Sequence, residues 1–357
     1  MAEHKEETRK MYFYIGICIS IIAILVSINN DVNAYSVNYE VVAEGLSKLG
    51  NCGANFEFLP DGRIICGGLR DGKIYIITLK ENGFEYKEIG HINVYLGEEG
   101  ESAIERGLVG LAIDPEFDTN RYVYLHYSIK GDDGKQYTRV ARFTLDDNEM
   151  LTDMKILLEK PGNKVHIGGP MIFGSDNTLY ITNGDTGGLI VAQQMDTLAG
   201  KILRINRDGS IPTDNPFPNS PIYTLGHRNV FGIAVHPITG VPYITENGPD
   251  TDDELNILEP GKNYGWPHIL GYRVNEVNEQ YKVIDEDIVN YERPLFSSGN
   301  NVIGPTNMIF YTSDRYGEEF KNNLFFTTVH DDTKYGNGAI YRVILKPPHY
   351  TEIEDIK

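Results

Sequence analysis

Apolar positions along the chain fall in short alternating runs broken by turn residues, and one phrase recurs. "FEFLPDGRIICGGLRDGKIYII" begins at Phe56, "GLAIDPEFDTNRYVYLHYSI" at Gly110, "GPMIFGSDNTLYITNGD" at Gly169 and "GIAVHPITGVPYITENG" at Gly232. A looser copy, "MIFYTSDRYGEEFKNNLFFTTV", begins at Met308. Each reads as an apolar strand, a Pro, Asp or Gly turn, and a second apolar strand. A third strand follows several of them: "KIYIITL", "RVARFTL", "GKILRIN" and "AIYRVIL". The turns at Pro60, Pro115, Ser175, Pro237 and Ser313 lie about 55 to 76 residues apart. Sheet modules at that spacing predict propeller blades. A two-sheet sandwich would not repeat one phrase in every module, and neither long amphipathic helices nor βαβ alternation is visible. "YEVVAEGL" near the N-terminus is expected to pair with C-terminal strands and close the ring. Only "KPPHYTEIEDIK" follows Leu345, so a sixth blade would be incomplete or absent. The polar stretch 272–296 reads as a long surface excursion.

Composition narrows the setting. The chain has 357 residues, and its 41% hydrophobic content is enough for a substantial core. Lys5, Arg9 and Lys10 precede an apolar run over residues 11–28, and Val32-Asn33-Ala34 supplies a small-residue cleavage pattern. Residues 1–34 are therefore expected to be a signal peptide, with an uncleaved membrane anchor as the alternative. Either reading leaves residues 35–357 as a single propeller domain outside the cytoplasm, secreted or anchored through residues 11–28. Net charge is −19, and −18 without residues 1–34. Such a surface repels nucleic acid and anionic membranes, so neither is an expected partner. Cys18 lies in the leader, leaving Cys52 and Cys66. A hairpin turning at Asp61-Gly62 puts Cys66 opposite about position 57 rather than 52, so the two are not expected to be bonded. No CxxC or zinc-type Cys/His spacing occurs.

Three stretches place costly residues just outside strands. His166 precedes the outgoing strand of one hairpin and Asp185 follows its return. A carboxylate beside an imidazole fixes the tautomer and raises basicity, which is how a general base is held. The alternative is a structural pair bracing a blade. "GHRNVFG", residues 226–232, crowds a histidine, an arginine and an asparagine before a strand. Arg228 offers a rigid fork of donors for carboxylate or carbonyl oxygens, or else a buried Arg–Asp bridge between blades. "TENGPDTDDELNIL", residues 245–258, has four acids within positions 250–254, after a Gly-Pro pair that forces irregular backbone. Hard oxygen ligands of this kind attract calcium, without the spacing of an EF-hand; a solvated acidic turn is the alternative.

Taken with "ERGLVGLAIDPEF" (105–117) and "LAGKILRINRDGSIPTDNPF" (198–217), these stretches give the chain a resemblance to the soluble glucose/sorbosone dehydrogenases, also called aldose sugar dehydrogenases. The resemblance covers about residues 45–345. It implies an all-β, six-bladed β-propeller with four-stranded antiparallel blades, here with an incomplete last blade. It also implies pyrroloquinoline quinone and Ca2+ as cofactors, a small-molecule sugar as substrate and an external electron acceptor. His166 falls on the family's catalytic base, which takes the proton of the anomeric hydroxyl as the sugar becomes a lactone. Asp185 falls on the carboxylate that orients this base. Arg228 and Asn229 fall on residues holding the quinone's reactive carbonyl side, and Glu105 on a glutamine or glutamate of the site. Gly248 and Pro249 fall where backbone carbonyls bind the cofactor's calcium, and Glu254 and Tyr264 near a second, structural calcium. Lys334 lies near the family's cofactor lysine, and Asn247 stands where a histidine or glutamine is common. Two other function classes compete. One is a non-catalytic, calcium-stabilised extracellular propeller binding glycan or protein. The other is a calcium-dependent lactonase, against which the backbone-carbonyl metal ligands argue.

Overall fold

Each recurring phrase folds as the first strands of one blade: two in four of the copies and three in the copy that begins at Phe56. The computed structural model describes residues 55–81, 83–99, 105–272, 289–330 and 338–357, the single residues Leu49, Cys52 and Glu101, and the backbone of three strands near the N-terminus. Those three, β1 (Tyr12–Ile17), β2 (Ser20–Ser27) and β3 (Ser36–Ala43), form an antiparallel sheet of their own in the order β1-β2-β3. The rest of the expected leader lies outside the described residues. No helix among the described residues is long and apolar enough to cross a membrane.

Blade one is β4 (Asn55–Phe58), β5 (Ile64–Gly67), β6 (Lys73–Lys80) and β7 (Gly83–His91). Blade two is β8 (Leu108–Ile113), β9 (Tyr122–Lys130), β10 (Gln136–Leu145) and β11 (Leu151–Pro161). Blade three is β12 (Met171–Phe173), β13 (Leu179–Asn183), β14 (Lys201–Ile205) and β15 (Ile222–Leu225). Blade four is β16 (Val230–Val235), β17 (Pro242–Glu246), β18 (Glu254–Ile257) and β19 (Phe296–Ser297). Blade five is β20 (Pro305–Phe310), β21 (Leu324–Thr328), β22 (Ile340–Leu345) and β23 (Ile353–Ile356). Every blade is a four-stranded antiparallel meander with neighbours in chain order.

The structure thus has five blades among the described residues, where six were expected. "KPPHYTEIEDIK", left over by the sequence pattern, supplies β23, the outer strand of blade five, instead of opening a sixth. Nor does the described part of "YEVVAEGL" pair with C-terminal strands: β3 pairs with β2. The outer strands of blades one and two escaped the sequence pattern because they are solvated edges: most of β7 and β11 is exposed, so their sequences carry charge rather than alternation.

Apolar faces stack blade on blade. Ile65, Ile74 and Ile76 of blade one meet Leu108, Leu111 and Leu125 of blade two. Tyr124 and Val140 meet Met171 and Ile181, Tyr180 and Ile202 meet Val230 and Ile244, and Tyr243 and Leu255 meet Met308 and Phe326. Inner strands touch in the order β4, β8, β12, β16, β20, and no comparable contact returns from β20 to β4 among the described residues. Phe58 and Ile309, on the two inner strands flanking that seam, stay 39% and 59% exposed.

Cys52 and Cys66 are bonded, against expectation, with Cα atoms 5.4 Å apart. The hairpin register is close to the expected one, with Cys66 opposite Phe56. Cys52 is not a hairpin residue, however. It lies before β4, buried with Leu49 against Ile64, Tyr75 and Ile77 on the face of blade one turned away from blade two.

Candidate active site

The loops entering blades three and four converge on one carboxylate. Asp185 lies two residues beyond the end of β13 and is fully buried. Its Oδ1 accepts hydrogen bonds from His166 Nδ1 at 2.7 Å and from the Gly187 amide at 2.8 Å. Its Oδ2 accepts one from Trp266 Nε1 at 2.7 Å. An ionised carboxylate can only accept, so Nδ1 of His166 carries the proton and Nε2 presents a lone pair. Nε2 has no partner among the described residues, and the imidazole keeps 17% of its surface exposed. His166 sits at φ 51°, in the left-handed region that non-glycine residues enter at a cost, held there as the Thr186 amide donates to its carbonyl.

Gly184 explains how three loops fit together. A Cβ there would fall 2.4 Å from the His166 carbonyl oxygen and 2.8 Å from that of Arg228, so only glycine lets them meet. The Asp185 amide then donates to the Arg228 carbonyl at 2.8 Å, tying the imidazole loop to the arginine loop.

Arg228 makes no ion pair with a described carboxylate, so the bridge between blades weighed from the sequence is not formed. Its Nη1 instead donates to the carbonyls of Asn247 (3.0 Å) and Gly248 (2.9 Å), and its guanidinium lies over the Trp266 ring, 5.4 Å from the centroid. Nε and Nη2 bond to no described residue, leaving donors for a ligand. Asn229 Nδ2 donates to Glu105 Oε1 at 3.1 Å, joining blade four to the start of blade two. Three oxygens there are buried without partners: Glu105 Oε2, Asn229 Oδ1 and Asn247 Oδ1. Buried acceptors left open await donors or a cation.

The acidic loop is arranged differently from its expected use. Asp253 takes amide hydrogens from Gly248, Ile303 and Gly304 at 2.7–2.8 Å, so it holds the Gly-Pro turn rather than a metal. Glu254 accepts from Asn256 Nδ2 and the Gly271 amide, and burial beside Glu246 and Asp252 pushes its carboxyl up to about 8. The Tyr264 hydroxyl accepts the Glu259 amide and donates to the Ile257 carbonyl, at the end of β18 away from Glu254. The structure does not bring the side chains of Glu254 and Tyr264 together. Among the described residues, no group of three or more His, Cys, Asp or Glu side chains is placed to hold a metal ion. The Gly248 carbonyl retains a second lone pair beside its bond to Arg228, and Asn247 Oδ1 is open next to it, so hard oxygens suited to calcium are present as backbone and amide groups. Lys334 lies outside the described residues.

Sequence reasoning gave no role to Trp266, or to the buried pair His227–Glu246, in which Nδ1 donates to Oε2 at 2.9 Å. The chain's one tryptophan, in "KNYGWP" (262–267), was the available signal for Trp266.

Comparison with known proteins places this arrangement. Over 240 residues the chain is 32% identical to the aldose sugar dehydrogenase YliI of Escherichia coli, covering 63% of this chain and 62% of that protein. It is 35% identical over 198 residues to quinoprotein glucose dehydrogenase B of Acinetobacter calcoaceticus, covering 47% and 41%. The chain thus spans less than two thirds of the length of these relatives. Among solved structures, the PQQ-bound aldose sugar dehydrogenase of Streptomyces coelicolor superposes with a TM-score of 0.68 at 26% identity, over 85% of this chain and 79% of that one. The family model described as glucose / sorbosone dehydrogenase matches residues 52–342, and the chain belongs to that family.

Proposed function

We propose that the protein oxidises an aldose at its anomeric carbon to the lactone, with pyrroloquinoline quinone and calcium as cofactors and His166 as general base. The observation that carries the reading is the His166–Asp185 pair, with Nδ1 locked on the carboxylate and Nε2 open. A base must carry its lone pair toward the substrate hydroxyl, and this tautomer does. Asp185 stabilises the imidazolium formed when His166 takes the proton, and its burial keeps that interaction strong. The unpartnered oxygens of Glu105 and Asn229 suit the hydroxyl hydrogens of a sugar.

Arg228, through its open donors, and Asn229 would hold the quinone's carbonyl side, and Gly248 and Pro249 would offer carbonyls to calcium. Lys334 belongs to the same proposal, as a further residue holding the cofactor. The quinone would supply the hydride acceptor that no side chain here can provide. The names of the relatives, quinoprotein and PQQ-bound, support this cofactor. The two electrons pass on to an external acceptor, and the protein works outside the cytoplasm behind its leader.

The direct test is dye reduction by residues 35–357 with calcium, pyrroloquinoline quinone and a panel of aldoses. Aldose-dependent reduction that requires both additions supports the reading. A folded protein that neither binds the quinone nor reduces dye overturns it in favour of the non-catalytic propeller.

A further inference from the structure

Trp266 touches both working groups of the site. Its Nε1–H donates to Asp185 Oδ2, and its ring face carries the Arg228 guanidinium. The ring is only 3% exposed and is held from behind: Gln193 Nε2 donates to its carbonyl at 2.6 Å, its amide donates to the Gly226 carbonyl at 3.0 Å, and Ala192 and Leu270 pack on it. Asp185 Oδ1 is shared between His166 and Gly187, whereas the indole N–H is the one hydrogen-bond donor to Oδ2 among the described residues.

We infer that Trp266 is a positioning residue that acts through Asp185, fixing the carboxylate's rotation so that Oδ1 meets His166 Nδ1, and at the same time supporting the arginine opposite. A carboxylate anchored at one oxygen can pivot about its Cβ–Cγ bond, while one anchored at both cannot. The indole supplies the second anchor without adding charge to a buried site. The inference rests on the reading of His166 as the base only for its kinetic consequence; the hydrogen bond itself does not depend on it.

Two measurements test it. Because the chain has a single tryptophan, its indole N–H proton gives one resonance, observable in the cofactor-free protein. Asp185→Asn should move that resonance upfield, as a charge-assisted bond becomes a neutral one. An unmoved resonance overturns the inference, whatever the enzyme does. The second measurement is a double-mutant cycle in the loaded enzyme. Trp266→Phe should lower kcat by about 10- to 100-fold with KM changed far less, and should have almost no further effect in the Asp185→Asn background. Equal losses in both backgrounds would show a merely structural ring and overturn the inference. If no aldose is turned over by the unmodified protein, the proposed function fails, and the indole resonance still decides the role of Trp266.

Discussion

Two histidine–carboxylate pairs lie in consecutive blades, each spanning nineteen residues of sequence, and they have opposite fates. His166–Asp185 leaves its Nε2 without a partner among the described residues and part of its ring in reach of solvent. His227–Glu246 is buried: Nδ1 donates to Oε2, Nε2 accepts from the Thr224 hydroxyl at 2.8 Å, and the ring stacks on Tyr264. The difference is a register of two residues. Aligned on "YITNGD" and "YITENG", Glu246 matches Asn183, the last residue of β13, while Asp185 lies two positions further out. A carboxylate at the strand end faces the neighbouring blade, and one beyond it faces the loops. The same chemical pair therefore has both ring nitrogens bonded in one place and keeps an open ring nitrogen in the other.

The largest effect that would break this contrast is on turnover. His166→Ala should reduce kcat by at least about a thousandfold, within the range expected of a general base, with the unfolding midpoint little changed. Full turnover in that variant would make His166 a bystander. His227→Ala should do the reverse, destabilising the fold by about 1–3 kcal/mol in urea titration, because the buried Glu246 loses the imidazole donor and keeps only the Arg228 amide. Turnover per folded molecule should fall far less than in His166→Ala. A stable, inactive His227→Ala protein would invert the assignment of the two pairs.

A smaller effect sharpens the comparison from below. Asn183, the counterpart of Glu246, accepts a hydrogen bond from the buried Lys160, whose ammonium is pushed down to about 7 by burial. Unfolded, a lysine titrates near 10.4, so between about pH 7 and 10.4 the unfolded chain binds the extra proton and stability rises with pH. Below pH 7 both states are protonated and Lys160 adds no slope. Lys160→Met should remove up to about 1.4 kcal/mol per pH unit from the rise between pH 7 and 9, read as the change in urea midpoint. An unchanged slope would show that Lys160 keeps its ordinary titration and that this blade junction is wetter than its burial indicates.

Much of this was legible in the sequence, for identifiable reasons. The blades were visible because their middle strands are buried on both faces, as β13, β14 and β17 are throughout. The outer strands β7 and β11 were not visible, since an exposed edge needs no apolar pattern. His166 and Asp185 could be paired because a hairpin returns its ends to one place. Trp266 could not, because it reaches Asp185 across 81 residues and two blades. The Cys52–Cys66 bond was misjudged for a related reason: hairpin register says nothing about a segment that folds across the hairpin's face.

What the sequence determined by itself was the all-β modular architecture, the family and the identity of the groups able to do chemistry, because periodicity and residue type are local properties. The number of blades among the described residues, the use of Arg228 on carbonyls rather than on a carboxylate, and which of two equally spaced histidine pairs keeps an open ring nitrogen were decided only by the tertiary structure. Each depends on which atoms are left without partners after the blades pack, and burial is a property of the assembled sheets that no single stretch of chain carries.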